Sequence, residues 1–402
     1  MAMKAEQAGW VAVNQSLAPK YLDLLQGLAR VHGSCTLLTG TRCPSARPLL
    51  RVVEGPPYKG VSIRARAWSW LRFSAFVTRR LLVGRRPRLV FAASNPPFLA
   101  PICWLVSRLR RVPYVLLVWD IYPDHVVQQG WMSGRNPLVR LWRRANRLAL
   151  RRAGAVVTIG GRMAATLKRQ AGDIRIDVIP NWADTEAIRP LAKVDNEFAR
   201  QHGQTGKVTV LYSGNIGRTH NAAVLADAAA LLGGLAGVHF LVIGEGLGLD
   251  DLRRRAAELR VANLSLLPLQ PWERMPLSLA TGDIAVVLQG AGTEHLSVPS
   301  KAYTLMAAGC AIVACTAADS DLAELVDRHG IGMVVPAGDA AALAAAIRRL
   351  ATDPALLAAM RGRARRAAEE SFSLERAVSS FAGVFRDCLD AAASGGAGTP
   401  AP

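Results

Sequence analysis

The 402-residue sequence lacks any arrangement of cysteines or histidines that would bind a metal or form a disulfide framework. Its six cysteines are scattered, and most lie in apolar surroundings where a thiol behaves as a small hydrophobic residue. Its seven histidines are equally dispersed. These absences argue against a stapled secreted scaffold and against metal chemistry, and they favour a reducing, cytoplasmic setting.

The sequence also lacks the pattern of a secretory signal and an unbroken membrane span. Residues 1–20 contain an acid at Glu6 and only short apolar runs, so we expect no export. The longest uncharged stretch, 89–107, has nearly the length of a membrane span, but Asn95 and three prolines interrupt it. We expect a strand, a loop and the start of a helix there.

Acidic residues are scarce in the first half of the chain. Residues 1–190 carry 30 lysines and arginines against nine acids, a net charge of +21, whereas residues 191–402 carry 19 against 21. No acid lies between Glu54 and Asp120, although that stretch holds twelve basic residues. The first half is therefore expected to face something negative, which nucleic acid and an anionic membrane surface both satisfy.

What the sequence does contain is two rounds of short apolar runs that alternate with longer helical patterns. This alternation is typical of parallel sheets covered by helices on both faces, so the predicted fold class is α/β. Strands are predicted at 10–13, 35–39, 88–92, 114–119, 155–159 and 177–179, and again at 208–212, 239–243, 264–267, 284–288, 311–314 and 332–335.

A polar, proline-bearing stretch at 185–206 separates the two rounds. We predict two doubly wound, Rossmann-like domains at 1–190 and 191–393, the second ending in helices, and a flexible tail at 394–402. Two such domains are expected to face each other across a cleft at the carboxyl ends of their strands, where ligands of these sheets bind.

In the second domain, two segments have the character of anion sites. Tyr212-Ser-Gly-Asn-Ile-Gly-Arg218 joins a strand to a helix, and Gly214 and Gly217 allow backbone N–H groups to meet a phosphate, with Arg218 as a charged partner. Val298-Pro-Ser-Lys301 begins another helix with a lysine, where a cation is disfavoured unless an anion is bound. We expect these two loops to converge on one diphosphate; the alternatives are an ordinary glycine turn and a solvated lysine.

Other polar residues follow predicted strands. Ile243-Gly-Glu-Gly-Leu-Gly248 partly resembles a dinucleotide fingerprint, in which Glu245 either faces the cleft or belongs to a structural turn. In the first domain, Asp120 ends a strongly apolar strand and is the best candidate for a cleft carboxylate, the alternative being a cap or a salt bridge. Asn95 and Asp124 lie near the same edge. Asp319-Ser-Asp321 resembles a metal-site spacing, but its acids are interpreted as helix caps.

Two segments read as basic amphipathic helices, 63–83 and 137–152. The aromatic residues of 63–83 exceed what one buried stripe needs, so we expect this segment to lie on a membrane surface. For 137–152, a core-packed helix with a solvated arginine face is an equal alternative.

Six segments, in this order, carry a family resemblance: Ser94-Asn-Pro-Pro97, Trp119-Asp-Ile-Tyr-Pro123, Ile179-Pro-Asn-Trp-Ala-Asp184, Tyr212-Ser-Gly-Asn-Ile-Gly217, Val242-Ile-Gly-Glu-Gly246, and Ser297-Val-Pro-Ser-Lys301 followed by Met306-Ala-Ala-Gly309. Together they resemble the family 4 glycosyltransferases of the GT-B fold, in the branch of O-antigen, capsule and colanic-acid-type exopolysaccharide synthesis. The resemblance spans nearly the whole chain.

The resemblance implies a retaining hexosyl- or N-acetylhexosaminyl-transferase without a metal or other cofactor. Its donor would be a nucleotide-sugar, usually UDP-linked, and its acceptor a polyprenyl-diphosphate-linked or other glycan at the inner face of the plasma membrane. Nucleic acid is then not an expected partner. The catalytic candidates are Asp120, Arg218 and Lys301. The donor-binding candidates are Gly214, Asn215, Gly217, Glu245, Glu294, Val298, Ser300 and Thr304, and Asn95 and Asp124 are assigned to the acceptor side.

The sequence departs from the family pattern at three places. Two glutamates common in the family align with Leu296 and Thr304, and Glu294 is the candidate to replace the first. The usual Arg and Lys of the first loop of the second domain fall at Asn215 and His220. Residues 14–19 replace the expected glycine-rich loop. Two other hypotheses stay open: a nucleotide-sugar epimerase of the same fold, and a basic nucleic-acid-binding protein.

Overall fold

A computed structural model describes residues 9–43, 47–59, 62–217, 221–290 and 292–394. The chain divides into two compact units, Met1–Pro180 with Glu375–Pro402, and Asn181–Leu374. The division lies ten residues before the predicted boundary, and the last helix belongs to the first unit instead of the second. Each unit is built around a fully parallel sheet with helical crossovers.

The first unit holds a seven-stranded sheet of order β3-β2-β1-β4-β5-β6-β7. The strands are β1 Trp10–Val13, β2 Cys35–Thr39, β3 Leu50–Glu54, β4 Val90–Ala93, β5 Tyr114–Val118, β6 Ala155–Thr158 and β7 Ile176–Val178. The helices are α1 Pro19–His32, α2 Ile63–Val83, α3 Leu99–Arg110, α4 Asp124–Gln128, α5 Pro137–Arg151, α6 Gly161–Ala171 and, at the end of the chain, α15 Leu374–Ala393.

The second unit holds a six-stranded sheet of order β10-β9-β8-β11-β12-β13. The strands are β8 Val208–Ser213, β9 Val238–Ile243, β10 Leu264–Leu267, β11 Ile284–Leu288, β12 Ala311–Cys315 and β13 Gly332–Val335. The helices are α7 Glu197–Gln201, α8 Ala223–Leu231, α9 Leu249–Glu258, α10 Met275–Leu279, α11 Lys301–Ala307, α12 Asp321–His329, α13 Ala340–Thr352 and α14 Pro354–Ser371, with a 3₁₀ turn at Trp272–Arg274.

Both sheets follow the strand order of a doubly wound nucleotide-binding fold, to which the first adds a seventh strand. Central strands such as β4, β5, β11 and β12 are buried at every position, because helices cover both faces. This explains their unbroken apolar sequences. The α/β fold class and the twelve predicted strands are confirmed. The sequence analysis missed one strand, β3.

Helix α15 packs against the first unit through aromatic side chains. The Phe385 ring lies 5.2 Å from Trp10 and 5.1 Å from Phe91, centroid to centroid, and Phe381 lies 5.6 Å from Phe91. Phe91, Phe381 and Phe385 are fully buried, so the helix completes the core of that unit. No helix in the described part of the chain combines the length and the apolar composition needed to cross a bilayer.

Candidate functional site

Two glycine-rich loops lie at the carboxyl-terminal edge of the second sheet, after β8 and β9. The Gly214 N–H donates to Ile243 O at 2.9 Å, the Ile216 N–H to Glu245 O at 2.7 Å, and the Gly248 N–H to Ile216 O at 2.9 Å. These backbone bonds join the loops into one substructure. The side chain of Glu245 is exposed, and its carbonyl makes the loop contact.

Glycine is required where these loops touch. A Cβ on Gly244 would lie 2.2 Å from Gly214 O, and one on Gly246 would lie 2.5 Å from Ile216 O and 2.7 Å from the Asn215 Oδ1. Gly214 and Gly246 also have φ angles of 118° and 129°, in the region that favours glycine. The partial fingerprint at 243–248 therefore brings two backbones together.

Lys301 reaches the first of these loops from the first turn of α11. Its Nζ donates to Asn215 O at 3.4 Å and lies 4.0 Å from the centroid of the Tyr212 ring. The Tyr212 hydroxyl donates to the same carbonyl at 3.0 Å. The two segments that the sequence analysis expected to converge are thus adjacent.

The ammonium group of Lys301 is poorly solvated. Burial lowers its pKa from 10.5 to about 7, because a charged form loses hydration in the protein interior. No carboxylate of the described residues pairs with it. A bound anion here would restore the protonated form and gain a charge-assisted hydrogen bond.

The loop before α11 is held by a buried polar network. Gln289 donates from Nε2 to Ser297 O at 2.9 Å, and its Oε1 accepts from the Thr316 hydroxyl at 2.7 Å. The Thr316 hydroxyl also lies 3.0 Å from the Ser320 Oγ, which caps α12 at Ala323 N. The sequence analysis missed this network. Its one signal in the sequence is a glutamine directly after an apolar strand.

The remaining donor-side candidates lie in the segment before α11, in α11 itself and in the first glycine loop. Val298 is buried, and Glu294 is half-buried. Ser300 occupies the N-cap position of α11 but forms no capping bond with its side chain. The Thr304 hydroxyl donates to Lys301 O at 3.0 Å, within its own helix. Gly217 follows Ile216 in the first loop, and Arg218 and His220 lie outside the described residues.

In the first unit, Asp120 lies just past the carboxyl end of β5. Its backbone N–H and that of Trp119 donate to the Ser94 Oγ at 3.2 and 3.1 Å, which ties this turn to the end of β4. Burial raises the pKa of the Asp120 carboxyl, and the nearby charge of His125 opposes that shift. A desolvated carboxylate at a strand end has the character of a proton acceptor.

The two acceptor-side candidates lie in different environments. Asn95 is half-buried beside Ser94, and its carbonyl accepts from the Gln15 N–H at 3.0 Å. The Asp124 carboxylate accepts from Arg143 Nη2 at 2.5 Å and from Gln170 Nε2 at 2.6 Å. Asp124 therefore ties α4 to α5 and α6 with both of its oxygens.

Two further polar residues lie at this edge and were not among the candidates. Asn14, directly after β1, is buried, and both polar atoms of its side chain lack a partner. Lys20 lies in the first turn of α1, where burial lowers its pKa to about 8. The sequence analysis treated residues 14–19 only as a loop that replaces a glycine-rich one. The available signal was the pair of polar residues, Asn14 and Gln15, that directly follows an apolar strand.

Among the described residues, no group of three or more His, Cys, Asp and Glu side chains lies close enough to hold a metal ion. The interpretation of Asp319 and Asp321 as helix caps is wrong in detail. Ser320 is the cap, because its Oγ accepts from Ala323 N at 3.0 Å, while Asp319 pairs with His295 at 3.2 Å.

Comparisons with known proteins agree with this architecture. A glycosyl transferase 4-like domain matches residues 18–182, and a glycosyl transferases group 1 domain matches residues 207–353. The chain is 30% identical to the probable glycosyltransferase WbjE of Pseudomonas aeruginosa, over 79% of this chain and 78% of that protein. It is 26% identical to the putative colanic acid biosynthesis glycosyl transferase WcaI of Escherichia coli K12, over 66% of each.

The fold is also that of a solved structure, Anabaena Alr3699/HepE in complex with UDP-glucose. The two match with a TM-score of 0.72 and 18% sequence identity, over 94% of this chain and all of that one.

Proposed function

Because the chain belongs to the family 4 glycosyltransferases of the GT-B fold, we propose that it transfers a sugar from a UDP-sugar to a lipid-linked glycan, with retention of the anomeric configuration. The acceptor would lie at the cytoplasmic face of the membrane, in the synthesis of a cell-surface polysaccharide. The name of the relative WcaI and the UDP-glucose bound by the structural neighbour HepE support this choice of pathway and donor.

The observation that carries the proposal is the contact of Lys301 with the first glycine loop of the second unit. The Asn215 backbone N–H, which lies between the two N–H groups that join the loops, and the Lys301 ammonium together suit the diphosphate of a nucleotide-sugar. Negative charge grows on that diphosphate as the bond to the sugar breaks. Fixed positive groups that meet this charge lower the barrier, and we assign this role to Lys301 and Arg218.

The first unit would supply the acceptor side. We assign Asp120 to the acceptor hydroxyl. The hydroxyl would donate a hydrogen bond to the Asp120 carboxylate while the hydroxyl oxygen attacks the sugar carbon. Asn95 would help to orient the acceptor from the end of the neighbouring strand. Asp124, which is fully engaged by Arg143 and Gln170, would act by positioning this edge.

The experiment that tests the proposal is thermal unfolding of the purified protein with UDP, GDP, dTDP, CDP and ADP in turn. A nucleotide at about 100 times its dissociation constant stabilises the protein by roughly 2.7 kcal/mol. We expect a shift with UDP that is absent in Lys301→Ala and Arg218→Ala. A shift with another nucleotide alone would overturn the UDP assignment, and equal shifts in both variants would overturn the site.

The reaction itself is tested with the UDP-sugar that binds and a lipid-linked acceptor, by mass spectrometry and by NMR of the anomeric signal. Product that forms only with acceptor present supports a transferase. Conversion of the nucleotide-sugar without acceptor would instead support the epimerase hypothesis.

A further inference from the structure

The first unit contains a cavity of about 480 Å³ that begins at the amino-terminal ends of two strands, whereas Asp120 lies at a carboxyl-terminal strand end. The cavity begins beside Gly9 and Ser34, which directly precede β1 and β2. Its other walls come from β3 and from the end of α2 with the following loop, 84–87. Because Asp120 and Asn95 follow the carboxyl ends of their strands, this cavity is separate from the site described above.

The cavity has an apolar floor and a cationic rim. Val11, Leu38, Val53 and Leu81 supply apolar side chains, Ser34 and Thr36 supply hydroxyl groups, and Arg51, Arg80, Arg85 and Arg86 supply the charge. None of the lining residues is acidic. An adjoining hollow of about 230 Å³ is lined by Arg79, Arg80, Val83 and Gly84.

Two arginine contacts explain why this loop holds its shape. Arg110 donates to Leu81 O and Gly84 O at 2.6 and 2.8 Å, and Arg86 donates to Arg111 O at 2.6 Å. These bonds satisfy the carbonyls at the ends of α2 and α3. Arg51 and Arg80 form no ion pair with the described residues, and both are exposed at the rim.

Helix α2 connects the cavity to an exposed apolar and basic surface. Trp70, Phe73 and Val77 are buried, while Trp68 is 63% exposed, Leu71 52% and Val83 80%. At about 100° per residue, these exposed side chains lie within about one third of the helix circumference, together with Arg64, Arg72 and Arg79. Apolar anchors mixed with arginines are suited to the interface of an anionic membrane.

We propose that this arginine-rimmed cavity binds the phosphate headgroup of an anionic phospholipid and so holds α2 on the membrane. The apolar floor suits the glycerol and first methylenes of such a lipid, and the arginines suit its phosphate. An anionic phospholipid is favoured over a soluble phosphate because the cavity continues into the exposed face of α2. The proposal rests on the membrane location within the proposed function.

The first test is sedimentation with vesicles of phosphatidylcholine, with and without phosphatidylglycerol. Each basic residue near an anionic surface strengthens binding about fivefold, so Arg51→Gln/Arg80→Gln should weaken binding to the anionic vesicles about 25-fold. The matched control, Arg30→Gln/Arg42→Gln, removes the same charge from exposed positions outside the cavity and should weaken it less than about threefold. Equal losses in the two pairs would overturn the proposal.

A second variant and a soluble competitor separate the remaining outcomes. Thr36→Glu places a carboxylate in the cavity and should also abolish vesicle binding, with circular dichroism confirming that the variant is folded. Glycerol 3-phosphate and inorganic phosphate should not protect the wild type against heat. Three results together would make the lipid assignment wrong: either compound protects the wild type, the cavity variants remove that protection, and vesicles do not bind. The ligand would then be a soluble phosphate.

The transfer reaction distinguishes this proposal from the proposed function. The cavity variants should retain transfer to a water-soluble acceptor analogue, and Lys301→Ala should lose transfer while it still sediments with anionic vesicles. Loss of vesicle binding in Lys301→Ala would overturn the cavity as the membrane site.

Discussion

The two sheets of this chain share a strand order, but their carboxyl-terminal edges differ in chemistry. In the Asn181–Leu374 unit, β8 and β9 are followed directly by glycines, and the helix after β11 begins with Lys301. In the first unit, the corresponding crossover from β4 leads to a helix that begins with Leu99, and the strand ends carry Asn14, Ser94 and Asp120. One edge is suited to an anion, and the other to groups that exchange hydrogen bonds and protons.

This difference shows that one strand order can carry two edges of different chemistry, because the chemistry of an edge comes from the loop residues at its strand ends. The two units also place a poorly solvated lysine differently. Lys301 contacts a glycine loop, whereas Lys20 lies in the first turn of α1, after a loop without glycine.

The largest expected effect is that of Lys301→Ala. Removal of one preorganised charge partner of a leaving group costs about 100- to 1,000-fold in turnover, so sugar transfer should fall by that factor and the nucleotide-induced thermal shift should vanish. Lys20→Ala makes the same change in the first unit and should retain the nucleotide shift. If Lys20→Ala loses the shift and Lys301→Ala keeps it, the donor edge has been assigned to the wrong sheet.

Gly244→Ala should have the next largest effect, which is a loss of stability. The new Cβ would lie 2.2 Å from Gly214 O, a backbone atom that cannot move independently of its loop. Overpacking of this kind costs about 1–3 kcal/mol in the free energy of unfolding, measured by urea denaturation.

Gly383→Ala, in the middle of α15, is the control for that substitution. Its Cβ would meet nothing within 4 Å, so the change should raise the free energy of unfolding by about 0.5–1 kcal/mol through helix propensity. An unchanged stability in Gly244→Ala would mean that the two glycine loops are not packed as described.

The third prediction concerns the pH dependence of nucleotide binding. The Lys301 pKa of about 7 means that the amine is mostly neutral above pH 8 in the free protein. A bound diphosphate favours the protonated form, so binding should take up a proton, and affinity should fall by up to about tenfold per pH unit between pH 7 and 9. Titration calorimetry in buffers of different ionisation enthalpy measures both quantities.

Lys301→Arg is the control for this effect, since a guanidinium stays charged throughout this range. Its nucleotide affinity should be nearly constant between pH 7 and 9. A wild-type affinity that is equally constant would contradict the assignment of the titrating group.

The smallest expected effect is on stability in Asp120→Asn. Because burial raises the pKa of this carboxyl, the folded state binds more protons than the unfolded state just above pH 3.8, and ionisation then destabilises the fold as pH rises. The variant should therefore be more stable than the wild type at pH 7, with the difference lost below pH 3.8. Its transfer activity should fall while the nucleotide shift is retained, and loss of that shift would contradict an acceptor-side role.

Much of the architecture was predictable because buried parallel strands have a distinctive sequence. The predicted bounds of Leu264–Leu267, Ile284–Leu288 and Gly332–Val335 match the structure. The strand Leu50–Glu54 was missed because it lies at an edge, where Arg51 is exposed and the apolar pattern is broken. The predicted convergence of the loop at 212–217 with Lys301 is also found in the structure.

The missed residues have a common cause. Asn14, Gln289 and Thr316 are polar residues whose importance depends on burial, and for Gln289 and Thr316 also on a bond between positions 27 residues apart. Sequence spacing carries no information on such partners. The same applies to Asp124, whose engagement by Arg143 and Gln170 depends on the packing of three helices.

The sequence by itself determined the α/β class, the two sheets, the order of the motifs and the basic character of the first half, because these depend on local periodicity and composition. Only the tertiary structure decided that α15 belongs to the first unit, that Lys301 contacts the loop at 214–217 with no acidic partner among the described residues, and that a cationic cavity begins at the amino-terminal strand ends of the first sheet. An amphipathic helix has the same pattern whichever core it covers, and burial, pKa and cavities arise only when distant segments pack together.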